Sequence, residues 1–290
     1  MALTAPPRPL GPTVWDGVSL WRSPGRAPVA VGGTLDPPTL IGAYRAGAFP
    51  WPSDDDQDAD GKDADGKNGE VTNGEGSGTG VAVRLRDLLR AAVAARRVLH
   101  LSPERPGGYD LPWWSPDPRA VIPAGGVRVN RSLRKRLRNC GWTTTVDEAF
   151  VDVVRGCQRG GTSGWITDEL IDGYAELHAL GWAHSVEVWD GDDLVGGVYG
   201  VGVGGVFAGE SMFHTRTDGS KVALADFDAR FAAAGGVLLD VQMTTDHLLS
   251  LGAREVPRRD YLEVLERVRD VDVRLERDRH PVSRLAPPDA

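Results

Sequence analysis

The stretch AHSVEVWDGDDLVGGVYGVGVGGVFAGESMF, residues 183–213, sets the centre of the fold. Runs rich in Val and Gly, separated by turn residues, predict three consecutive strands at 183–189, 194–199 and 203–208. The sequence Asp-Gly-Asp-Asp between the first two predicts a tight hairpin. Glu210 comes just after the third predicted strand, where a carboxylate either ends a turn or belongs to a site.

Helical patterns surround these strands. Apolar residues recur at helix spacing over 147–158 and 168–180 before the strands, and over 220–234 after them. A fourth strand is predicted in GVLLDVQM, residues 236–243. Three meandering strands followed by a helix and a further strand are typical of acetyltransferase-like α/β folds, which indicates a fold class and no particular substrate.

The N-terminal part is less regular. Residues 53–80 form an acidic, Gly-rich, low-complexity segment that we expect to be a flexible insertion. An extra amphipathic helix is predicted at 81–99. The proline-rich LPWWSPDPRAVIP, residues 111–123, is expected to be an extended connector. We therefore predict an N-terminal domain at 1–122 and a catalytic domain at 123–290.

The net charge of −8 is concentrated in one segment. Residues 53–80 hold nine acids and two lysines, so the rest of the chain is close to neutral. Residues 127–139, VRVNRSLRKRLRN, contain six basic residues and no acid. Ser132 is expected to cap a short helix there. Such a cluster suits phosphates, although the solvated side of a short helix also explains it.

Several classes of protein are disfavoured. Cys140 and Cys157 lie outside any CxxC or Cys/His spacing, so we expect free thiols. No apolar run approaches the roughly 18 residues of a membrane span. No histidine spacing predicts a metal, and no GxSxG motif predicts a covalent nucleophile. The expectation is a cytoplasmic enzyme without a metal or cofactor.

Three polar residues could share a cleft. Asp240 and Gln242 are two positions apart in the fourth strand, and alternation places them on one face. If the third and fourth strands are neighbours, Glu210 joins them, with Phe207 and Phe227 as an apolar wall. Alternatively, the fourth strand is an edge strand with a solvated face and Glu210 caps a turn.

Four tryptophans, Trp51, Trp113, Trp114 and Trp165, occur beside turns or prolines. This placement suits the lining of a pocket or the stacking of nucleic-acid bases. Plain packing between domains remains an alternative for each of them.

Several motifs together resemble one known family, that of the leucyl/phenylalanyl-tRNA–protein transferases. The resemblance covers most of the chain outside the insertion. It is carried, in chain order, by VGGTLDPPTLIGAYRAGAFPW, WWSPDPRAV, RSLRKRLR, LVGGVYGVGVGGVFAGESMF and DVQMTTDHLLSLGAREVPRRDY.

The resemblance implies a small N-terminal domain and an acetyltransferase-like (GNAT-like) C-terminal domain with a central mixed sheet. It implies transfer of Leu or Phe from aminoacyl-tRNA to the N-terminal Arg or Lys of proteins, which marks them for degradation by the N-end rule pathway. The aminoacyl ester is already activated, so no cofactor is implied. A cytoplasmic monomer without a membrane partner is expected.

The family pattern also implies roles for residues. Asp240 would polarise Gln242, whose side-chain amide assists the incoming amine, and Glu210 would bond the donor near its ribose and amino group. The donor pocket would be lined by Trp51, Trp165, Phe207, Phe227, Phe231, Met212 and Val198. The tRNA phosphates would contact Arg131, Arg134, Lys135, Arg136 and Arg138.

Two departures from the family pattern stand out. Val198 occupies a position where a methionine is expected, which predicts a wider donor pocket. Residues from about 54 to 110 separate two parts that the family pattern places nearly next to each other.

Two other functions are compatible with parts of the sequence. An acyl-CoA-dependent N-acetyltransferase would share the fold, but GESMFHTRTDGSK lacks the Gly-rich spacing that holds a pyrophosphate. A non-enzymatic tRNA-binding protein would use the basic helix and the tryptophans, but it leaves Glu210, Asp240 and Gln242 without a role.

Overall fold

The computed structural model describes residues 2–51, 91–95, 97–101, 111–160 and 165–286. The predicted insertion at 53–80, and most of the predicted helix at 81–99, lie outside the described residues. Among the helices that are described, none has the length and apolar character needed to cross a membrane.

Strands and helices alternate along much of the chain. The strands are β1 (Ala30–Gly32), β2 (Phe49–Pro50), β3 (Leu99–Leu101), β4 (Pro112–Trp114), β5 (Arg119–Pro123), β6 (Thr143–Val146), β7 (Ala183–Asp190), β8 (Asp193–Val203), β9 (Val206–His214), β10 (Leu238–Gln242), β11 (Arg254–Val256) and β12 (His280–Pro281). The helices are α1 (Pro37–Ala46), α2 (91–94 in its described part), α3 (Arg131–Asn139), α4 (Phe150–Gly160), α5 (Asp168–Ala179), α6 (Gly219–Ala233), α7 (Asp246–Ser250), α8 (Arg258–Val268) and a 3-10 turn (Val282–Leu285).

A large mixed sheet has the order β11-β5-β10-β9-β8-β7-β6-β12. The predicted hairpin is confirmed, because β7 and β8 pair antiparallel down to Asp190 opposite Asp193. The predicted adjacency of the third and fourth strands is also confirmed: β9 and β10 pair in parallel, with Phe207 opposite Leu239. This pairing places the segments of β9 and β10 that carry the predicted polar site residues side by side.

The third predicted strand is displaced. The structure continues β8 to Val203 and begins β9 at Val206, and β9 runs on to His214. The turn falls at Gly204, whose φ of 56° is open to glycine without strain. Glu210 therefore lies inside a strand and not after it.

Residues 111–123 are not a connector. Part of this segment is β4, which belongs to a small sheet of order β2-β4-β1-β3, and part is β5, which pairs with β10 in the large sheet. The predicted domain boundary after residue 122 thus falls within β5. Pro112 and Pro123 did not prevent pairing because they occupy the ends of β4 and β5, where a missing N–H is tolerated, and Pro116 and Pro118 lie between the two strands.

Two local predictions are corrected. The N-cap of α3 is Asn130, whose Oδ1 accepts from Leu133 N at 2.9 Å, whereas Ser132 is already helical. The helix predicted to reach residue 99 ends earlier, because Leu99 begins β3 and pairs in parallel with Ala30 of β1.

The core has two main apolar clusters. One joins the N-terminal residues to α4, α5 and β8, and includes Tyr44, Tyr174 and Tyr199. The other packs α3 and α6 on the large sheet and includes Leu133 and Phe227. Cys140 and Cys157 are free thiols, as predicted.

The beginning and end of the described chain lie side by side. Leu3 forms an isolated antiparallel bridge with Glu276. Thr4 N donates to Leu275 O at 2.8 Å, and Arg277 N donates to Ala2 O at 2.7 Å. These contacts join residues 2–4 to residues 275–277 in a short antiparallel pairing.

Candidate active site

A cavity of about 270 Å³ opens where β8, β9 and β10 meet the small sheet. Trp51, just after β2, contributes from the small sheet, whereas Val198 and Met212 face each other across β8 and β9. Apolar walls are formed by Trp51, Trp165, Val198, Met212, Leu224 and Leu248. Both sheets supply wall residues, so the cavity is complete only when the N-terminal segment is packed against the large sheet.

Four of the seven predicted pocket residues line this cavity: Trp51, Trp165, Val198 and Met212. The three phenylalanines do not. Phe207, Phe227 and Phe231 are almost fully buried in the core between β9 and α6. The ring centroids of Phe207 and Phe227 are 4.0 Å apart, and those of Phe227 and Phe231 are 5.4 Å apart. Helical spacing directs Phe227 and Phe231 together onto the sheet, so these rings belong to the core between α6 and the sheet.

Glu210 occupies an irregular position on the cavity wall. Tyr199 pairs with Ser211 and Gly200 pairs with Gly209, so Glu210 is the extra residue of a β-bulge. Bulges redirect a side chain and occur often beside active sites. The bulge accounts for a carboxylate that turns into an apolar cavity from the middle of a strand.

The carboxyl group of Glu210 is only partly bonded. Tyr174 donates to its Oε2 at 2.8 Å, and the hydroxyls of Tyr174 and Tyr44 are 2.8 Å apart. Its Oε1 is buried and has no hydrogen-bond partner among the described residues. Burial raises the pKa of Glu210 to about 7, against the hydrogen bond from Tyr174, which lowers it. A group with this pKa can gain or lose a proton near neutral pH.

Asp240 is bonded on all sides and lies beneath the cavity. Arg119 donates from Nε to Oδ1 at 2.8 Å and from its terminal nitrogen to Oδ2 at 2.6 Å. The hydroxyl of Tyr261 donates to Oδ2 at 2.9 Å, and the backbone N–H of Gln242 donates to Oδ1 at 3.0 Å. The carboxylate is fully buried and therefore acts as a fixed acceptor.

Gln242 lines the cavity, but strand alternation does not bring it there. The register of β10 shifts between Asp240 and Gln242, and the φ of Gln242 is 58°. The prediction that alternation puts both residues on one face is therefore wrong. Asp240 contacts the backbone of Gln242, and the side-chain Nε2 of Gln242 lies 3.4 Å from the backbone oxygen of Asp240.

The basic residues of α3 lie apart from the cavity walls. Leu133 and Leu137 are buried against the core, which turns the opposite side of the helix outward. Arg131, Lys135 and Arg138 are exposed. The other two predicted tRNA contacts, Arg134 and Arg136, are half-buried. Nε of Arg136 is 3.5 Å from Asp218, and its guanidinium lies 5.6 Å from the ring centre of Trp142.

Sequence reasoning missed four residues that support the site. Arg119 and Tyr261 hold Asp240, and Tyr44 and Tyr174 extend from Glu210 into the core. One signal was present in the sequence: Arg119 is a lone charge between WWSPDP and the apolar AVI. The tyrosines carry no such signal, because each lies on a helix whose apolar face is filled in the ordinary way.

Fold and site together define an α/β protein with a binding site for a small, largely apolar ligand: a large mixed sheet borders an apolar cavity that Glu210 and Gln242 line. Models of two families match, described as leucyl/phenylalanyl-tRNA protein transferase (residues 121–266) and the N-terminal domain of that protein (residues 33–58). The chain belongs to the leucyl/phenylalanyl-tRNA protein transferase family, whose members are aminoacyltransferases.

Relatives with that name span most of the chain. One from Shewanella woodyi is 37% identical over 248 residues, which are 84% of this chain and 83% of the relative. One from Tolumonas auensis is 37% identical over 245 residues, 83% of this chain and 82% of the relative. One from Proteus mirabilis is 50% identical over 159 residues, 55% of this chain and 69% of the relative.

Proposed function

We propose that this chain transfers leucine or phenylalanine from aminoacyl-tRNA to the N-terminal Arg or Lys of acceptor proteins, which marks them for degradation by the N-end rule pathway. The observation that carries the proposal is the apolar cavity into which Glu210 and Gln242 project. Family membership supports the identity of the donor and of the acceptor.

The cavity suits an amino-acid side chain. Its volume of about 270 Å³ lies just below the range of about 300–1,000 Å³ that is usual for small-molecule sites. Trp51, Trp165, Val198 and Met212 would surround the leucine or phenylalanine side chain. Apolar walls exclude charged side chains strongly, but they separate one apolar side chain from another by only about 1–3 kcal/mol per methylene.

The reaction needs one proton to be moved. The acceptor nitrogen bonds to the ester carbonyl carbon, the bond between that carbon and the ribose oxygen breaks, and the proton lost by nitrogen passes to the ribose oxygen. Glu210 has the properties for this transfer, since its pKa of about 7 is close to the ~7.7–8.0 of an α-amino group. Its Oε1 accepts no hydrogen bond from the described residues, so the carboxyl group keeps an unused acceptor position.

Gln242 contributes a neutral amide at the cavity wall. An amide side chain can accept from the incoming amine and can donate to the carbonyl oxygen as charge develops on it. The role expected for Asp240, polarisation of this amide, remains a prediction. The contacts of its carboxylate favour an indirect version, because they run to the backbone of Gln242.

The exposed side of α3 would bind the tRNA backbone. Arg131, Lys135 and Arg138 form a row of positive charge along one short helix, with Arg134 and Arg136 at its margin. Contacts of this kind release counterions, so binding weakens as salt rises. Donor recognition would thus be divided between an apolar cavity for the amino acid and a basic helix for the phosphates.

Broader features of the proposal follow the family. We propose a small N-terminal domain beside an acetyltransferase-like domain, supported by the parallel pairing of β9 with β10 after the meander of β7 to β9. We also propose that the protein acts as a cytoplasmic monomer, which leaves its surface open to a tRNA and to a protein terminus together.

The deciding experiment measures transfer of labelled phenylalanine from Phe-tRNA to a peptide that begins with Arg, beside the same peptide beginning with Ala. Transfer to the Arg peptide alone is expected. Equal transfer to both would contradict the proposed acceptor. No transfer to either would contradict the proposed function, and acetyl-CoA would then be the donor to test.

A further inference from the structure

Gln242 has an unusual backbone at the end of β10. Its φ of 58° is uncommon for a residue with a Cβ. The N–H of Met243 donates to Val241 O at 2.7 Å, which closes a three-residue γ-turn centred on Gln242. Turns of this kind with positive φ are rare and strained. The strained residue is also the one whose side chain lines the cavity.

The turn is held from below by a single carboxylate. The N–H of Gln242 donates to Oδ1 of Asp240 at 3.0 Å. Arg119 fixes both oxygens of that carboxylate, and Tyr261 adds a third side-chain hydrogen bond. These hydrogen bonds use every acceptor position of the Asp240 carboxylate, so its orientation toward the backbone N–H of Gln242 is fixed.

The holding group is itself rigid. Arg119 and Asp240 are fully buried, and the guanidinium lies 5.0 Å from the ring centre of Phe49 and 4.6 Å from that of Tyr261. Arg119 also donates to Gly47 O at 3.3 Å, at the end of α1. The guanidinium therefore connects the N-terminal segment, which supplies Trp51 to the cavity, to the strand that supplies Gln242.

Two side chains that donate to Asp240, those of Tyr261 and Arg119, keep their protons near neutral pH. Burial raises the pKa of Tyr261 well above its usual range, and the charge of Asp240 raises it further, so its hydroxyl stays a donor. Burial alone would lower the pKa of Arg119, but the neighbouring Asp240 carboxylate raises it above its usual value. Tyr261 and Arg119 therefore both remain hydrogen-bond donors to Asp240 near neutral pH.

We propose that Arg119 and Tyr261 are positioning residues that act through Asp240 on the backbone of Gln242, holding the strained γ-turn that presents its amide to the acyl-transfer site. This inference rests on the proposed function. Strained backbone persists where the surroundings over-determine it, and it is concentrated at functional sites. An ordinary strand end at this point would turn the Gln242 side chain elsewhere.

The first test is Tyr261→Phe, which removes one hydrogen bond to Asp240 and keeps the ring. We expect kcat with Phe-tRNA to fall about tenfold while KM for Phe-tRNA is unchanged, as for an interaction felt in the transition state. The matched control is Tyr199→Phe, because that hydroxyl is buried without a partner among the described residues and does not line the cavity. Equal effects of the two substitutions would overturn the proposal.

A double-mutant cycle tests whether Tyr261 acts through Gln242. If it does, adding Tyr261→Phe to Gln242→Ala causes no further loss of kcat, since the side chain to be positioned is gone. Additive losses would show that Tyr261 acts independently of Gln242 and would contradict the proposal.

Stability gives a test that needs no substrate. Gln242→Gly relieves the positive φ, so we expect a higher Tm together with a loss of transfer. A lower Tm would mean that the turn is not strained. If the wild-type protein fails to transfer phenylalanine while Gln242→Gly still raises Tm, the proposed function fails and the strained turn stands.

Arg119→Met probes the other positioning residue, with Arg258→Met as its control. Arg258 is also buried, but its guanidinium donates to backbone carbonyls, including Ser115 O at 2.6 Å, and to no carboxylate among the described residues. Both variants are expected to lower Tm, and only Arg119→Met is expected to lower kcat per folded molecule. If Arg119→Met does not fold, the Tyr261 cycle decides the proposal.

Discussion

Two regions of the large sheet each hold a glutamate whose pKa is raised by burial, and the two glutamates differ in their hydrogen bonds. Glu187 on β7 is fully buried, and its oxygens accept from Ser185 at 2.5 Å and from Thr145 at 2.6 Å. Burial raises its pKa, and those two hydrogen bonds lower it. Glu210 on β9 has the same kind of raised pKa, but its Oε1 has no partner among the described residues. A raised pKa is therefore common to the two glutamates, and they differ in hydrogen bonding: both oxygens of Glu187 have donors, whereas only one oxygen of Glu210 does.

The same two regions each bury an arginine–aspartate pair. At the far region, Arg230 donates to Asp226 at 2.6 Å and also to the backbone carbonyls of Glu276 and Asp278, so the pair fastens the C-terminal segment to α6. At the cavity, the Arg119–Asp240 pair meets a strained turn. The two pairs are equally buried, but their neighbours differ: one pair holds the C-terminal segment against α6, and the other contacts the turn at Gln242.

The largest expected effect separates the two glutamates. Glu210→Gln should lower kcat/KM for transfer by about 10²–10⁴-fold, the usual contribution of a proton-transferring side chain. Glu187→Gln should leave transfer close to wild type, because Glu187 is not part of the cavity. Steady-state kinetics with Phe-tRNA and an Arg peptide measures both. Comparable activity of the two variants would remove the proton-transfer role of Glu210.

The second comparison separates the two aspartates. Asp240→Asn leaves the buried guanidinium of Arg119 without its charge partner, and Asp226→Asn does the same to the buried Arg230 and the partly exposed Arg284, so each should lower the free energy of unfolding by about 3–5 kcal/mol or more. Urea unfolding measures this loss. Transfer per folded molecule, assayed at low temperature, should be lost in Asp240→Asn alone. Full activity in Asp240→Asn would show that the cavity does not depend on its pair.

A third prediction concerns pH. Because the folded-state pKa of Glu210 is raised to about 7, its contribution to stability is present below the unfolded pKa and lost as pH rises through about 7. The unfolded reference value is ~4.3. Glu210→Gln removes that loss, so its Tm relative to wild type should increase between pH 5 and pH 8.5. A Tm difference that is constant over this range would contradict the raised pKa.

The smallest effect is expected at α3, far from both glutamates. Replacing Arg131, Lys135 and Arg138 with Gln should raise KM for Phe-tRNA several-fold and reduce the salt slope by about 1 per lost phosphate contact. The control donor is phenylalanyl-adenosine, which has no phosphate and should be used equally well by both proteins. A loss of activity with that donor would place the effect in the cavity instead.

Much of the fold could be predicted from sequence because it depends on local patterns. The β7–β8 hairpin follows from its turn residues, and the adjacency of β9 and β10 follows from the order of elements. That adjacency was enough to bring Glu210, Asp240 and Gln242 into one neighbourhood. Residue periodicity predicts the elements correctly wherever the backbone is regular.

The irregular parts could not be predicted in the same way. Alternation fails at Glu210 and Gln242, because each lies at a register shift that depends on its partner strand. Arg119 was hidden by prolines that suggested a connector, although its environment is made by residues far along the chain. Phe207, Phe227 and Phe231 were assigned to the cavity because apolar side chains give the same sequence pattern whether they line a cavity or pack in the core.

The contact between residues 2–4 and residues 275–277 has a consequence for synthesis. A ribosome makes a chain from its N-terminal side, so residues 2–4 can form these hydrogen bonds only after residues 275–277 have been made. Until then the backbone groups of residues 2–4 lack these partners and are open to proteases. Protection of residues 2–4 therefore depends on the synthesis of a segment far along the chain.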